Sequence, residues 1–180
     1  MESRKTIGHW EGDTVRGAKW SGCIGTQVER VSRYAVLFKI PDRTAASFTE
    51  ANIQAFEKIP KSKRRSFTVD HGKEFSQHRE LSAKLNCKVY FADPHAPWQR
   101  GTNENFNGLL RQFFPKRTSF AEVTQSDVDA IASLLNRHPC KSLGWRSPEE
   151  VFFQAIIVLD LTIRSKKFSP KARPKICAPK

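Results

Sequence analysis

The stretch IGHWEGDTVRGAKWSGCIGTQVERVSRYAVLFKI, Ile7 to Ile40, alternates apolar and polar residues in three bursts: Ile7 to Val15, Cys23 to Val28 and Arg33 to Ile40. Gly17 and Gly22 punctuate the first interval, and the Arg30 to Arg33 region the second. A period of two places every other side chain on one face of a strand, so the stretch reads as a three-stranded antiparallel meander. The segment after it changes the class. From Thr44 to Ile59 the apolar residues Ala45, Phe48, Ile53, Phe56 and Ile59 fall at mostly helical spacing, with Thr44 as the N-cap and Pro60 as the stop. Lys61, Lys63, Arg64 and Arg65 then make a basic connector.

Ser66 to Asp70 reads as a fourth strand ending at an Asp-His-Gly turn. A helix from about Phe75 to Leu85 and a fifth strand, Cys87 to Phe91, come next. Beyond the Pro94 to Pro97 loop lie a helix ending near Phe114 and another from about Ser126 to Asn136. A last helix begins with Ser147 as cap and Pro148 at the first position. Three antiparallel strands feeding alternating helix and strand units give an α/β class, a mixed five-stranded sheet flanked by helices. No internal repeat is visible.

At 180 residues the chain holds one domain with a core, expected over 1–160. The Lys/Pro-rich segment 161–180 is expected to be disordered. The longest apolar run, from Val151 to Leu159, is interrupted by Gln154 and falls well short of the roughly 20 residues of a membrane span. The N-terminus lacks the apolar core of a signal peptide, which places the expected location in the cytoplasm. Cys23, Cys87, Cys140 and Cys177 form no C-x-x-C pair, which speaks against zinc and for reduced, mostly buried thiols. The formal net charge is +13, and segment 161–180 carries seven Lys/Arg and no acid. Such charge favours a polyanion, nucleic acid first and an anionic membrane surface second.

Against this basic background the acids stand out. Asp13 lies in the first strand and Asp70 ends the fourth, at the edge of a sheet where loops commonly build sites. If those strands are neighbours, the two carboxylates point into one cleft. Glu104 is the only acid between Asp93 and Glu122, among Arg100, Arg111, Lys116 and Arg117. On its helix Phe106, Leu109, Leu110 and Phe113 fall at i, i+3, i+4 and i+7 and are expected to be the buried stripe, with Glu104 nearly opposite. Taken alone, Glu104 is an acid favoured by the helix N-terminus. Taken with Asp13 and Asp70 it completes a set of hard oxygen ligands suited to Mg²⁺ or Mn²⁺. Two such ions about 4 Å apart activate a nucleophile and stabilise a leaving oxygen in phosphoryl transfer. Arg100 and Arg111 would hold phosphates. Glu11 shares the strand face of Asp13 and reads first as a salt-bridge partner, with an auxiliary role near the metals as the lesser alternative. Asp93 reads as a loop cap, Glu74 as helix N-terminal charge, and His95 as a loop hydrogen bond or a phosphate contact.

Gly8-HWEGDTV, Gly25-TQVERVSRY, Thr68-VDHGKEF, Leu143-GWRSPEEVF and above all Val89-YFADPHAPWQRGTNENFNGLLRQFFPK closely resemble the catalytic domain of bacterial transposases of the insertion-sequence-thirty family. These belong to the DDE class and share the ribonuclease H-like fold with retroviral integrases. The likeness runs from about Gly8 to Phe152. It implies a metal-binding catalytic triad of Asp13, Asp70 and Glu104 that takes up a pair of Mg²⁺ or Mn²⁺ ions. It also implies metal-dependent DNA cleavage and strand transfer without a covalent enzyme intermediate. Candidate DNA contacts are Lys73, Arg100, Asn107, Arg111, Lys116 and Arg117. Gly72, Trp98, Gly101 and Asn103 are further motif positions, and Trp98 is expected to pack against the sheet, with stacking on an unpaired base as its other role. The partners implied are transposon ends and target DNA, together with a homo-oligomer. This chain has Asp70-His71-Gly72 where the family usually reads Asp-Asn-Gly. It starts almost at the first catalytic strand, so the family's helix-turn-helix recognition of element ends is expected to be absent from it. A non-catalytic DNA-binding remnant is the alternative reading. A general nuclease of the ribonuclease H type would share fold and metals, but the long middle motif argues against it.

Overall fold

The structure is a computed structural model, and it describes residues 6–94 and 96–153. The expected boundary at 160, the basic segment 161–180, Cys177, His95 and the end of the apolar run fall outside those residues. The meander forms as β1 (His9–Arg16), β2 (Cys23–Glu29) and β3 (Ala35–Ile40), paired antiparallel in sequence order. Strands β4 (Ser66–Val69) and β5 (Lys88–Phe91) add to the other side of β1, both parallel, giving the order β3-β2-β1-β4-β5. β1 is therefore central, and the first and fourth strands are neighbours.

Period-two alternation sends the strands' side chains to two covers. On one face Val15, Ile24, Val28, Ala35 and Leu37 pack against Phe106 and Leu110 of α3 (Gly101–Phe113) and Val128 of α4 (Gln125–Arg137). On the other, Trp10 and Phe67 meet Phe56 of α1 (Ala45–Glu57) and Leu81 and Leu85 of α2 (His78–Leu85). Trp10 is fully buried, edge-on to Phe56 and Phe152, and its indole Nε1 donates to the Lys63 carbonyl at 2.8 Å. Burying an indole this way keeps its one polar group satisfied. Thr44 caps α1 by accepting from the Ser47 amide, and residues 148–153 are helical behind a reciprocal pair of bonds between Ser147 and Glu150. The helix expected from Phe75 starts later, because a 3-10 turn, Lys73–Phe75, comes first. Cys23 and Cys87 are buried free thiols, and burial pushes both up to about 11, so they stay protonated. Among the described residues no helix is long and apolar enough to cross a membrane.

The β3 edge is closed by side chains. Asn136 accepts from the Ala35 amide and donates to the Ala35 carbonyl, both at 2.8 Å. Three turns earlier on α4, Gln125 accepts from the Lys39 amide at 2.8 Å and donates to the Leu37 carbonyl at 3.3 Å. Two carboxamides thus occupy strand groups that would otherwise template pairing with another chain. Asn136 is buried, so Asn136→Ala leaves an amide and a carbonyl unsatisfied, each costing about 1 to 3 kcal/mol. The expected loss is about 2 to 4 kcal/mol in urea unfolding at unchanged m-value. A loss under about 0.5 kcal/mol would show that these bonds do not hold α4 on the sheet.

Candidate active site

The parallel pairing of β1 and β4 builds the site. Glu11 lies opposite Thr68, so two residues on, Asp13 and Asp70 come level at the carboxyl edge of adjacent strands. Both backbones are tightly packed there. A Cβ on Gly12 would stand 2.8 Å from the Gln27 amide and 2.9 Å from Val69. A Cβ on Gly72 would stand 2.8 Å from an oxygen of Asp70 and an oxygen of Glu74, while the Gly72 amide donates to Asp70 Oδ1 at 2.8 Å. The turn therefore has room for glycine alone if both carboxylates keep their places. His71 lays its ring parallel to Phe91, centroids 5.1 Å apart.

α3 is held over this edge by a buried carboxylate. Glu11 is fully buried; its Oε2 accepts from the backbone amides of Thr102 and Asn103 at 2.8 and 3.0 Å, and its Oε1 lies 3.1 Å from Arg30 Nε. Those two amides belong to the first turn of α3, whose N–H groups have no partner within the helix. Asn103 answers by donating to the Glu11 and Thr26 carbonyls and accepting from the Thr26 hydroxyl. The salt-bridge reading of Glu11 thus holds, and its larger part is to position the helix, which depends on a contact 91 residues away in sequence.

This anchoring turns α3 from the orientation that its apolar spacing implies. The buried line is Thr102, Asn103, Phe106, Leu110 and Phe114, whereas Leu109 and Phe113 are 39% and 41% exposed. The expected stripe is half right: hydrogen bonds of Asn103 in the core outweigh the pull of two apolar side chains on the flank. The rotation brings Asn107 beside β1, where its Nδ2 donates to Asp13 Oδ2 at 2.9 Å. Its Oδ1 is buried without a partner among the described residues.

Arg100, in the 3-10 turn Pro97–Arg100, lies between the aspartates, its Nη1 3.7 Å from Asp13 Oδ1 and 3.5 Å from Asp70 Oδ2. One nitrogen reaches both, so the carboxylates share a single cleft. Burial pushes the Asp13 carboxyl above the usual carboxylate range, and Asp70 and Glu74 add to it, against the pull of the Thr14 amide and Arg100. Glu74 accepts from the Thr14 hydroxyl at 3.0 Å. It thus borders the cleft beside Asp13 while lying in the first turn of the 3-10 helix, where helix N-terminal charge was the expectation. Its signal was its place four residues past Asp70 across a glycine turn.

Glu104 is exposed on the first turn of α3, one helical turn from Asn107, and its side chain makes no hydrogen bond or ion pair among the described residues. No three Asp, Glu, His or Cys side chains converge as metal ligands among the described residues. Arg111 points its guanidinium to the carbonyls of Arg16 and Phe114, at 3.0 and 3.4 Å. Lys73, Lys116 and Arg117 are exposed. Trp98 does not pack against the sheet: it is 72% exposed, because the turn that carries it is tied outward by paired bonds between Gln99 and Asp93.

The chain is similar to known proteins in sequence and in fold. The family described as the integrase core domain matches residues 3–97, more than half of the chain, including both aspartates of the cleft. The chain belongs to the integrase core domain family. The fold agrees: the catalytic core domain of BIV integrase superposes with a TM-score of 0.65 over 86% of this chain and 99% of that one, at 18% identity. This integrase core is 42% identical over 160 residues to the transposase InsI for insertion sequence element IS30C of Escherichia coli (strain K12), covering 89% of this chain and 42% of that protein. It is 47% identical over 156 residues to the transposase for insertion sequence element IS1086 of Cupriavidus metallidurans, covering 87% and 46%. The integrase core therefore spans less than half the length of these curated relatives.

Proposed function

We propose that this chain is the catalytic core of a DNA transposase, cutting and joining DNA strands in the cytoplasm with divalent metal, and that Asp13, Asp70 and Glu104 are its metal ligands. The observation that carries the reading is the convergence of Asp13 and Asp70 from adjacent parallel strands beneath α3, in a member of the integrase core domain family. Asp13 and Asp70, the two carboxylates that share the cleft, fit Mg²⁺ or Mn²⁺, and Glu104 is the ligand the proposal adds to them. Every donor is a hard oxygen, the crowded carboxylates call for positive charge, and the partnerless Asn107 Oδ1 lies next to Asp13. A pair of ions in such a set supplies an activated water or 3′-hydroxyl and a stabilised leaving oxygen.

The chain's own residues do the rest. Asn107 fixes the Asp13 carboxylate through one oxygen, and the Gly72 amide fixes Asp70. Glu11 holds the first turn of α3, the turn that carries Glu104, against β1. Lys73, Arg100, Arg111, Lys116 and Arg117 contact the phosphate backbone of transposon ends and target, aided by the formal net charge of +13. Two ends must be joined in one event, which suits a homo-oligomer.

A joining assay with pre-cleaved DNA ends and Mn²⁺ tests the proposal. Products that vanish in Asp70→Asn support it; salt-sensitive binding without joining would replace it by the non-catalytic DNA-binding remnant.

A further inference from the structure

The cation already present between Asp13 and Asp70 is a side chain of this protein, and it is poorly held. Arg100 is only 17% exposed, yet its two carboxylate contacts, at 3.7 and 3.5 Å, are longer than charge-assisted hydrogen bonds, and its Nε is buried with no partner among the described residues. A guanidinium normally meets carboxylates through a planar fork of short bonds. Here one nitrogen lies midway between two acids, as a point charge would. What keeps it there is electrostatic: two crowded carboxylates, with Glu74 nearby, favour any cation in the cleft.

We infer that Arg100 is a displaceable internal counter-ion: a divalent cation taken up by Asp13 and Asp70 competes with the guanidinium and releases it to a DNA phosphate. This rests on the proposed site and adds a coupling to it. The oxygens facing Nη1, Asp13 Oδ1 and Asp70 Oδ2, are on the carboxylates assigned to the metal, and like charges cannot crowd onto them together. The released side chain is long, planar and rich in donors, which suits a bidentate grip on phosphate. It extends from a turn immediately before α3, so it moves without disturbing the Glu11 anchor. By linkage, metal uptake and DNA grip then favour each other.

Mn²⁺ binding to the whole chain, measured by calorimetry without DNA, tests this. Arg100→Gln removes the competitor and is expected to tighten Mn²⁺ binding by about three- to tenfold, the size of a partly exposed ion pair. Arg100→Lys keeps the charge and is expected to stay within about twofold of the native chain. The second readout is DNA affinity of a labelled oligonucleotide with and without Ca²⁺: the ion is expected to tighten binding in the native chain and to lose that effect in Arg100→Gln. Unchanged or weaker Mn²⁺ binding in Arg100→Gln overturns the inference, as does a lysine variant that behaves like the glutamine one. Asp70→Asn separates the two claims. If it leaves Mn²⁺ binding intact, or if no chain binds Mn²⁺, the metal site itself falls and the inference with it; if it abolishes binding while Arg100→Gln changes nothing, only the inference falls.

Discussion

Asp70→Asn is expected to lower strand joining by about 10²- to 10⁴-fold, the equivalent of several kcal/mol of transition-state charge stabilisation. The substitution is nearly isosteric. It keeps an oxygen to accept from the Gly72 amide, so the turn that presents residue 70 is preserved. What it removes is one negative charge from the cleft proposed to take up divalent metal. Asp13→Asn is expected to fall by a similar factor, and it carries an internal control. Because burial raises the Asp13 carboxyl, the folded chain holds that proton more tightly than the unfolded chain does. Its contribution to stability is therefore present below the ordinary carboxylate value and is lost as pH rises through the raised folded value. At neutral pH the uncharged asparagine avoids that desolvation penalty, so Asp13→Asn should unfold no earlier than the native chain while failing to join. More than about a tenth of native joining in either variant, measured with pre-cleaved ends and Mn²⁺, would remove the carboxylate from the chemistry.

Glu11→Ala is expected to destabilise the fold by about 3 to 5 kcal/mol, as removing one partner of a buried ion pair does. Two terms add to the loss. The first-turn amides of Thr102 and Asn103 lose their acceptor at the centre of the molecule, and Arg30 loses its counter-charge. Against a typical stability of about 5 to 15 kcal/mol this is a large fraction, and it should register as a lower midpoint in urea. Glu11→Gln separates position from charge. It offers one oxygen to the same two amides and no charge to Arg30, so it is expected to recover roughly half of the loss. A change under about 1 kcal/mol in Glu11→Ala would mean that α3 is seated by its apolar contacts alone.

Glu11 also marks how far the chain can be read as a string. A carboxylate two residues from Asp13 was legible as a charge on the same strand face, and even its salt bridge could be named. Its acceptance of two helix amides could not, because those amides lie 91 and 92 residues away and nothing local encodes the approach. The same holds for α3. Helical spacing identified Phe106 and Leu110 as core correctly, since a residue buried by either rotation looks the same in the pattern. It misplaced Leu109 and Phe113, because Asn103, an ordinary polar residue in sequence, is the one that turns the helix into the sheet. Trp98 failed for a related reason. Large aromatic rings usually pack, and only the Gln99 to Asp93 bonds show that its turn faces outward.

By itself the sequence determined the elements and the class. Period-two alternation, a threonine cap, a proline stop and glycine turns act over a few residues, and local geometry is what they specify. It also marked Asp13, Asp70 and Glu104 as unusual acids in a basic chain, and through its long middle motif it pointed to the family. Tertiary structure decided the rest: that β4 adds parallel beside β1, so that Asp13 and Asp70 come level; that Arg100 spans both; and that Asn107, not Glu104, is the α3 side chain that touches Asp13. These depend on strand register and helix rotation, set by packing between residues far apart in the chain, and a cleft formed by such contacts exists only once the sheet has closed around its central strand.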